Sequence, residues 1–124
     1  MNRDKFTLEI IDLTLGMKRL NTTEKINAIE ALTILFETLK TDVATLQAAE
    51  EKNEWKAAEA VLCRIDSGLN YSGTPRLEQA CELLYDMVKR THDLRKLSLL
   101  FGLFYDEVTL FNDAYQALIK LSNL

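Results

Sequence analysis

A single proline and four glycines in 124 residues leave few positions that force a turn or stop a helix. Two cysteines without a repeated spacing exclude a disulfide framework and a thiolate zinc site. No Gly-rich phosphate loop, His/Cys/carboxylate metal cluster or Ser–His–Asp set can be assembled from the sequence. Basic charge is also short. Fifteen Lys and Arg face nineteen Asp and Glu, a net charge of −4, which argues against a nucleic-acid surface. No stretch approaches the ~20 apolar residues of a membrane span, and Met1-Asn2-Arg3-Asp4-Lys5 lacks the apolar run of a signal peptide. The expectation is a soluble cytoplasmic protein with free thiols, no metal and no cofactor.

What is abundant are helix formers. With 48% hydrophobic residues the chain can bury a core unaided, and its length fits one domain over residues 1–124. Phe6, Ile10, Leu13, Met17 and Leu20 share a face over roughly residues 5–19. Asn21-Thr22-Thr23 marks a break, and Thr22 with Glu24 offers a helix start. Ile26, Ile29, Leu32, Leu35, Phe36, Leu39, Val43 and Leu46 then recur at helical spacing to about residue 51, where Asn53 is the expected N-cap of the next helix. Trp55, Ala58, Val61, Leu62, Ile65 and Leu69 form a third inward stripe. Gly73-Thr74-Pro75 ends it, with proline favoured at the first helical position. Leu77, Cys81, Leu84 and Val88 predict a fourth helix, and Thr91-His92-Asp93 precedes a fifth over about residues 93–121. Short connections make consecutive helices antiparallel neighbours. The predicted fold is all-α, an up-and-down antiparallel four-helix bundle with an additional short N-terminal helix.

A helical wheel centred on Cys63 places Lys52, Lys56, Glu59, Ala60, Asp66, Ser67 and Asn70 within about 60° of it, with Ala58, Val61, Ile65 and Leu69 opposite. Cys63 is therefore expected to face solvent from a polar stripe, which is unusual for a free cysteine. Cys81, between Leu77, Leu84 and Val88, shows the usual buried pattern.

From Cys63 the sequence runs Cys63-Arg64-Ile65-Asp66-Ser67-Gly68-Leu69-Asn70-Tyr71-Ser72-Gly73-Thr74-Pro75-Arg76-Leu77. This stretch resembles the phosphosite region of histidine phosphotransfer (HPt) domains, which carry His-x-Leu-Lys-Gly, then small residues, a glycine and an Arg-Leu pair. It is most similar to the HPt domains that end hybrid sensor kinases. Asn53-Glu54-Trp55 resembles the family's Asp-Trp helix start, and Ile11-Asp12-Leu13 with Gly16-Met17-Lys18-Arg19-Leu20 resembles the segment before its first long helix. The resemblance covers nearly the whole chain.

The departures fall on the chemistry that the resemblance implies. Cys63 stands where the phosphoaccepting histidine would, Asp66 where a lysine would balance phosphoryl charge, and Ser67 where a glycine would admit the partner. A carboxylate about 4–6 Å from a phosphoryl group costs roughly 1–4 kcal/mol where a lysine would gain a similar amount. Glu59 and Asp66 flank Cys63 and disfavour its thiolate, while Lys56 and Lys52 lie a turn or more away. The expected function is a non-enzymatic pseudo-HPt module, which binds the receiver domain of a response regulator, or a sensor kinase, without accepting phosphate. Its partner-binding face would comprise Lys56, Glu59, Cys63, Asp66, Ser67 and Asn70 with the second helix from Phe36 to Val43. Two rivals stand beside it: a helical interaction or homodimer protein outside phosphorelay, and a thiol switch at Cys63.

Other features have simpler readings. His92 beside Asp93 is a solvated loop or helix-start residue, and Glu50, Glu51, Lys52, Glu54 and Lys56 are a solvated helix junction. The fifth helix carries a core stripe of Leu97, Leu100, Phe101, Phe104, Val108, Phe111, Tyr115 and Leu118. A second stripe, Leu99, Leu103, Leu110, Ala114, Ala117 and Leu121, lies about 100–140° away. Cover by the N-terminal helix is favoured for it over a homodimer or partner surface, so a monomer or weak homodimer is expected. Cys63 and Cys81 are nearly equidistant from the Ser72–Gly73 turn, but their opposite faces argue against a disulfide.

Overall fold

Five helices follow from these patterns in the computed structural model, which describes residues 8–122. They are α1 (Leu13–Arg19), α2 (Lys25–Glu51), α3 (Trp55–Leu69), α4 (Pro75–Arg90) and α5 (Leu94–Ser122). The four long helices run up and down, each packed on the next, and α5 closes the bundle against α2. Short α1 packs on the start of α2, where Gly16 lets it approach Ala28.

The core is the sum of the inward stripes. Leu32, Leu39 and Leu46 of α2, Leu62 and Leu69 of α3, Leu77, Leu84 and Val88 of α4, and Leu97, Phe101, Phe104 and Phe111 of α5 are fully buried. Burying each such side chain contributes roughly 1.5–3 kcal/mol. Cys81 is among them, its Sγ 3.8 Å from the Leu62 carbonyl to which it donates. Ile26 departs from the predicted stripe and is 54% exposed. At about 1.5 Å per residue α2 is about 40 Å long against about 22 Å for α3, so its first turn extends past the helix it would pack on.

The two helix ends carrying asparagine are built alike. Asn21 and Asn53 both have φ of 54°, in the left-handed region. Thr22 N–H donates to Met17 O and Asn21 N–H to Lys18 O; Glu54 N–H donates to Ala49 O and Asn53 N–H to Glu50 O. Each is a Schellman closure satisfying the last carbonyls of a helix, which asparagine tolerates better than most side chains. Asn53 therefore ends α2 and does not cap α3. The N-cap position of α3 is Glu54, without a side-chain bond. Thr22 does act at the start of α2, its Oγ1 accepting from Glu24 N–H and Asn27 Nδ2.

The N-terminal helix is shorter than expected. It starts at Leu13, with Asp12 as N-cap accepting from Leu15 N–H at 3.0 Å. Residues 8–12 are not helical but form a strap over the α3–α4 turn, and Phe6 lies outside the described residues. Asp12 N–H donates to Gly73 O at 2.7 Å and Arg76 N–H to Glu9 O at 3.3 Å. Beneath the strap Ser72 and Thr74 are buried, their hydroxyls 3.0 Å apart. Backbone pairing with the turn outcompetes helix at residues 8–12, since a helix there would forfeit both bonds for a marginal extra turn.

Candidate functional site

The middle of α3 carries the residues singled out by the sequence. Cys63 is exposed and Cys81 buried, both as free thiols. Along the face around Cys63, Lys56, Ser67 and Asn70 are exposed and Glu59 and Asp66 half-buried. Ser67 Oγ donates back to the Cys63 carbonyl at 3.0 Å, so its side chain turns along the helix rather than outward. Lys52 lies off this helix, as the C-cap of α2.

Asp66 is the anomalous member. Its Oδ1 is shielded from solvent and has no hydrogen-bond partner. Burial first, and then the carboxylate of Glu78, push its pKa above the ordinary value of 3.8. Glu82 on α4 is raised for similar reasons, burial and then Asp66 and Glu78, with Arg19 opposing. The α3–α4 seam beside Cys63 is thus an acidic strip, and the guanidinium that opposes it, Arg19, is already committed to Glu78 at 2.6 Å. A carboxyl pKa raised in the native state means that folding favours the protonated form, so ionisation lowers stability as pH rises above 3.8. Asp66→Asn is therefore expected to melt higher than the parent at pH 7, the difference shrinking towards pH 3. Thermal melts of both proteins across that range check it, and a gap independent of pH would contradict the assignment. Because Asp66 is only partly shielded, solvent screening keeps the gain modest.

The fourth helix adds a neighbour that the wheel of α3 alone did not reveal. Tyr85 lies beside Cys63, and its phenol is held above the usual range by that thiol first, then by burial and by Glu59 and Asp66. Lys89 sits 4.3 Å from the centroid of the Tyr85 ring. The near-equal spacing of Cys63 and Cys81 from the Ser72–Gly73 turn already held this signal. One helical turn beyond inward-facing Cys81, with a shift to the outer side of α4, is Tyr85.

On the second helix the neighbours differ from those expected. Phe36 stacks on Tyr115 of α5 with centroids 4.5 Å apart, and Val43 packs against the core. These two residues lie about 100–120° around α2 from Asp42, so they are not brought together with Cys63. What borders α3 is Asp42, which accepts from Arg64 Nε at 3.0 Å and Nη2 at 2.8 Å. Nearby, Leu20, Ala31, Ile34, Leu35, Thr38, Gly68 and Tyr71 line a shallow, mostly apolar groove of about 310 Å³. Ile34 and Tyr71 are 66% and 65% exposed on its rim, and a Cβ on Gly68 would meet only open space.

His92 lies away from this face. It is exposed between α4 and α5, with its ring stacked on Trp55 at 5.8 Å, and Trp55 is about 12 Å along α3 from Cys63. Asp93 caps α5, its Oδ1 accepting from Arg95 N–H at 3.0 Å. Among the described residues no three His, Cys, Asp or Glu side chains converge as a metal site, and no helix is long and apolar enough to cross a membrane.

No protein-family model matches the chain, and no curated protein matches it in sequence. Among solved structures it is similar to the crystal structure of the HPT domain from a sensor hybrid histidine kinase of Shewanella. The TM-score is 0.79 over 93% of this chain and 96% of that one, at 22% identity. The fold is thus an HPt-like helical bundle, a short N-terminal helix followed by four long ones.

Proposed function

We propose that this chain is a pseudo-HPt signalling module, which docks on the receiver domain of a response regulator, or on a sensor kinase, without accepting phosphate. One observation carries the reading. On an HPt-like bundle, the exposed mid-helix position that resembles the family's phosphosite holds Cys63, and the chain's single histidine lies elsewhere, stacked on Trp55. The surroundings point the same way. Asp66, Glu82 and Glu59 repel a phosphoryl anion, whose stabilisation requires donors or cations. The docking face comprises Glu59, Cys63, Asp66, Ser67 and Asn70 of α3, Tyr85 of α4, and the adjoining edge of α2, with Ile34 and Thr38 exposed and Asp42 half-buried under Arg64.

Calorimetry against the receiver domains of its own genome tests the reading, using the parent, Asp66→Lys and protein alkylated at Cys63. Exposure directs the reagent to Cys63, because Cys81 is buried and burial pushes its thiol far up. Micromolar binding to one receiver is expected, lost on alkylation and altered by Asp66→Lys, with no label passed from that receiver in its phosphorylated form. Binding to no receiver or kinase sinks the docking role; labelled Cys63 sinks the non-phosphorylated one.

A further inference from the structure

The second stripe of α5 is only partly covered. Its C-terminal end, Ala114, Ala117 and Leu121, shares a cleft with the strap residues Leu8, Ile10 and Ile11. Further back the stripe has no cover. Leu99, Leu103 and Leu110 are 65%, 49% and 37% exposed, and Leu83 of α4, beside Leu103 in the α4–α5 groove, is 55% exposed. Contiguous exposed leucines on two adjacent helices are an interaction surface, not scattered apolar residues.

The charges beside these leucines identify the occupant. Lys96, Leu99, Leu103 and Asp106 follow one another at intervals of three, four and three residues, a spacing symmetric about position 101. At 100° per residue, Lys96 and Asp106 lie about 40° to either side of the stripe's centre line, and Leu99 and Leu103 about 20° to either side. A two-fold axis perpendicular to α5 at that point and lying in the plane of contact sends each residue to the far end and keeps it on the same side. It therefore brings Leu99 level with the partner copy's Leu103 across the centre line, while Lys96 and the partner copy's Asp106 fall on opposite sides. Arg95 lies about 60° out on the side of Asp106 and Glu107 about 60° out on the side of Lys96, so Arg95 faces the partner copy's Asp106 and Lys96 its Glu107. Arg95, Lys96 and Asp106 have no ion-pair partner among the described residues, whereas Glu107 is held by Arg76. A self-complementary patch of this kind is what an isologous interface requires.

We infer that α5 pairs antiparallel with α5 of a second copy of this chain, around Leu99 and Leu103, with two reciprocal Arg95–Asp106 ion pairs. The footprint sets the strength. From Lys96 to Leu110 the helix runs about 21 Å, and two helices each about 10 Å wide give roughly 400 Å² per copy. That is about half of a standard interface, so the dimer is weak and concentration-dependent. Leu83 and Tyr85 project from nearly opposite sides of α4, about 160° apart. The Cys63 face therefore stays open in the dimer, which presents two copies of it.

Sedimentation velocity from micromolar to millimolar concentration tests the inference on the full chain. The parent is expected to shift from monomer to dimer across that range, and Leu103→Glu to stay monomeric with an unchanged circular dichroism spectrum. Arg95→Asp and Asp106→Arg each place like charges opposite one another twice, and each should weaken association at least tenfold. The double variant Arg95→Asp/Asp106→Arg restores opposite charges and should recover the parent's association. A parent monomeric throughout overturns the inference and leaves the groove to a different protein. A dimer indifferent to both single charge changes, or a double variant no better than the singles, overturns the antiparallel register. Both readouts are independent of receiver binding, so failure here and failure of the docking role are distinguishable.

Discussion

Gly73→Ala is expected to destabilise the protein by about 3 kcal/mol, among the largest effects of any single methyl group added to this chain. The reason is proximity, not backbone freedom, since no glycine in the described residues has a positive φ. A Cβ built on Gly73 would run into the Asp12 carbonyl and lie 2.8 Å from Gly16 N, backbone atoms that cannot swing aside like a side-chain tip. Substituting alanine for glycine elsewhere stabilises by ~0.4–1 kcal/mol through the unfolded chain, so the clash must first outweigh that gain. To accept the methyl group the strap must lift, breaking the Asp12 N–H to Gly73 O bond and opening water access to Ser72 and Thr74. Thermal melting should show a drop of roughly 10 °C. A chain lacking residues 1–12 should lose less on the same substitution, because the Asp12 carbonyl is gone and only Gly16 N still crowds the added Cβ. A full-length variant that melts within a degree or two of the parent would mean that the strap is loosely held.

Arg19→Ala is the second large effect, about 2 kcal/mol at neutral pH. The Arg19 guanidinium, one quarter exposed, does two things at once. Its Nη1 donates to the Ser72 carbonyl at 2.7 Å and the Leu69 carbonyl at 3.3 Å, satisfying the end of α3, while Nη1 and Nη2 together grip Glu78 at 2.6 and 3.2 Å. Removing it takes the donor from the Ser72 carbonyl, while Leu69 O keeps the Ser72 N–H and hydroxyl, and it leaves Glu78 beside Asp66 and Glu82 without its cation. Because burial and mutual repulsion already raise the pKa values of Asp66 and Glu82, the variant's deficit should shrink as pH falls and those carboxyls take up protons. Urea denaturation at pH 7 and pH 4 checks both magnitude and direction. Arg19→Ala/Glu78→Gln should recover part of the loss, and a deficit that grows towards pH 4 would contradict the acidic-strip account. Arg19→Lys should rescue poorly, since an ammonium cannot hold two carbonyls and a carboxylate in one planar fork.

Much of the fold was legible because helical periodicity depends only on the order of side chains. The stripe Leu77, Cys81, Leu84 and Val88 is buried without exception, and Pro75 opens its helix as its fixed φ and missing N–H require. The outward direction of Cys63 followed from the same arithmetic. Asn53 was misassigned because asparagine serves equally well at an N-cap and in a left-handed C-terminal closure, and only the backbone bonds of the finished turn distinguish them. The α2 border of the site was misplaced for a related reason. A wheel gives the face of one helix but not the rotation of the next, so Phe36 and Val43 were assigned to a side that belongs to Asp42, Thr38 and Ile34.

By itself, then, the sequence determined the five helical segments, the inward faces of α3, α4 and α5, and the identity of the residue standing at the centre of the α3 face. Each of these is a property of spacing along one chain segment. Only the tertiary structure decided that residues 8–12 form a strap locked against Gly73, that Arg19 is spent on Glu78, that Tyr85 stands beside Cys63, and that an oxygen of Asp66 is left without a partner. These are relations between segments, set by the rotation and axial offset at which packed helices interlock, and that interlocking minimises energy over the whole core rather than over any one stretch.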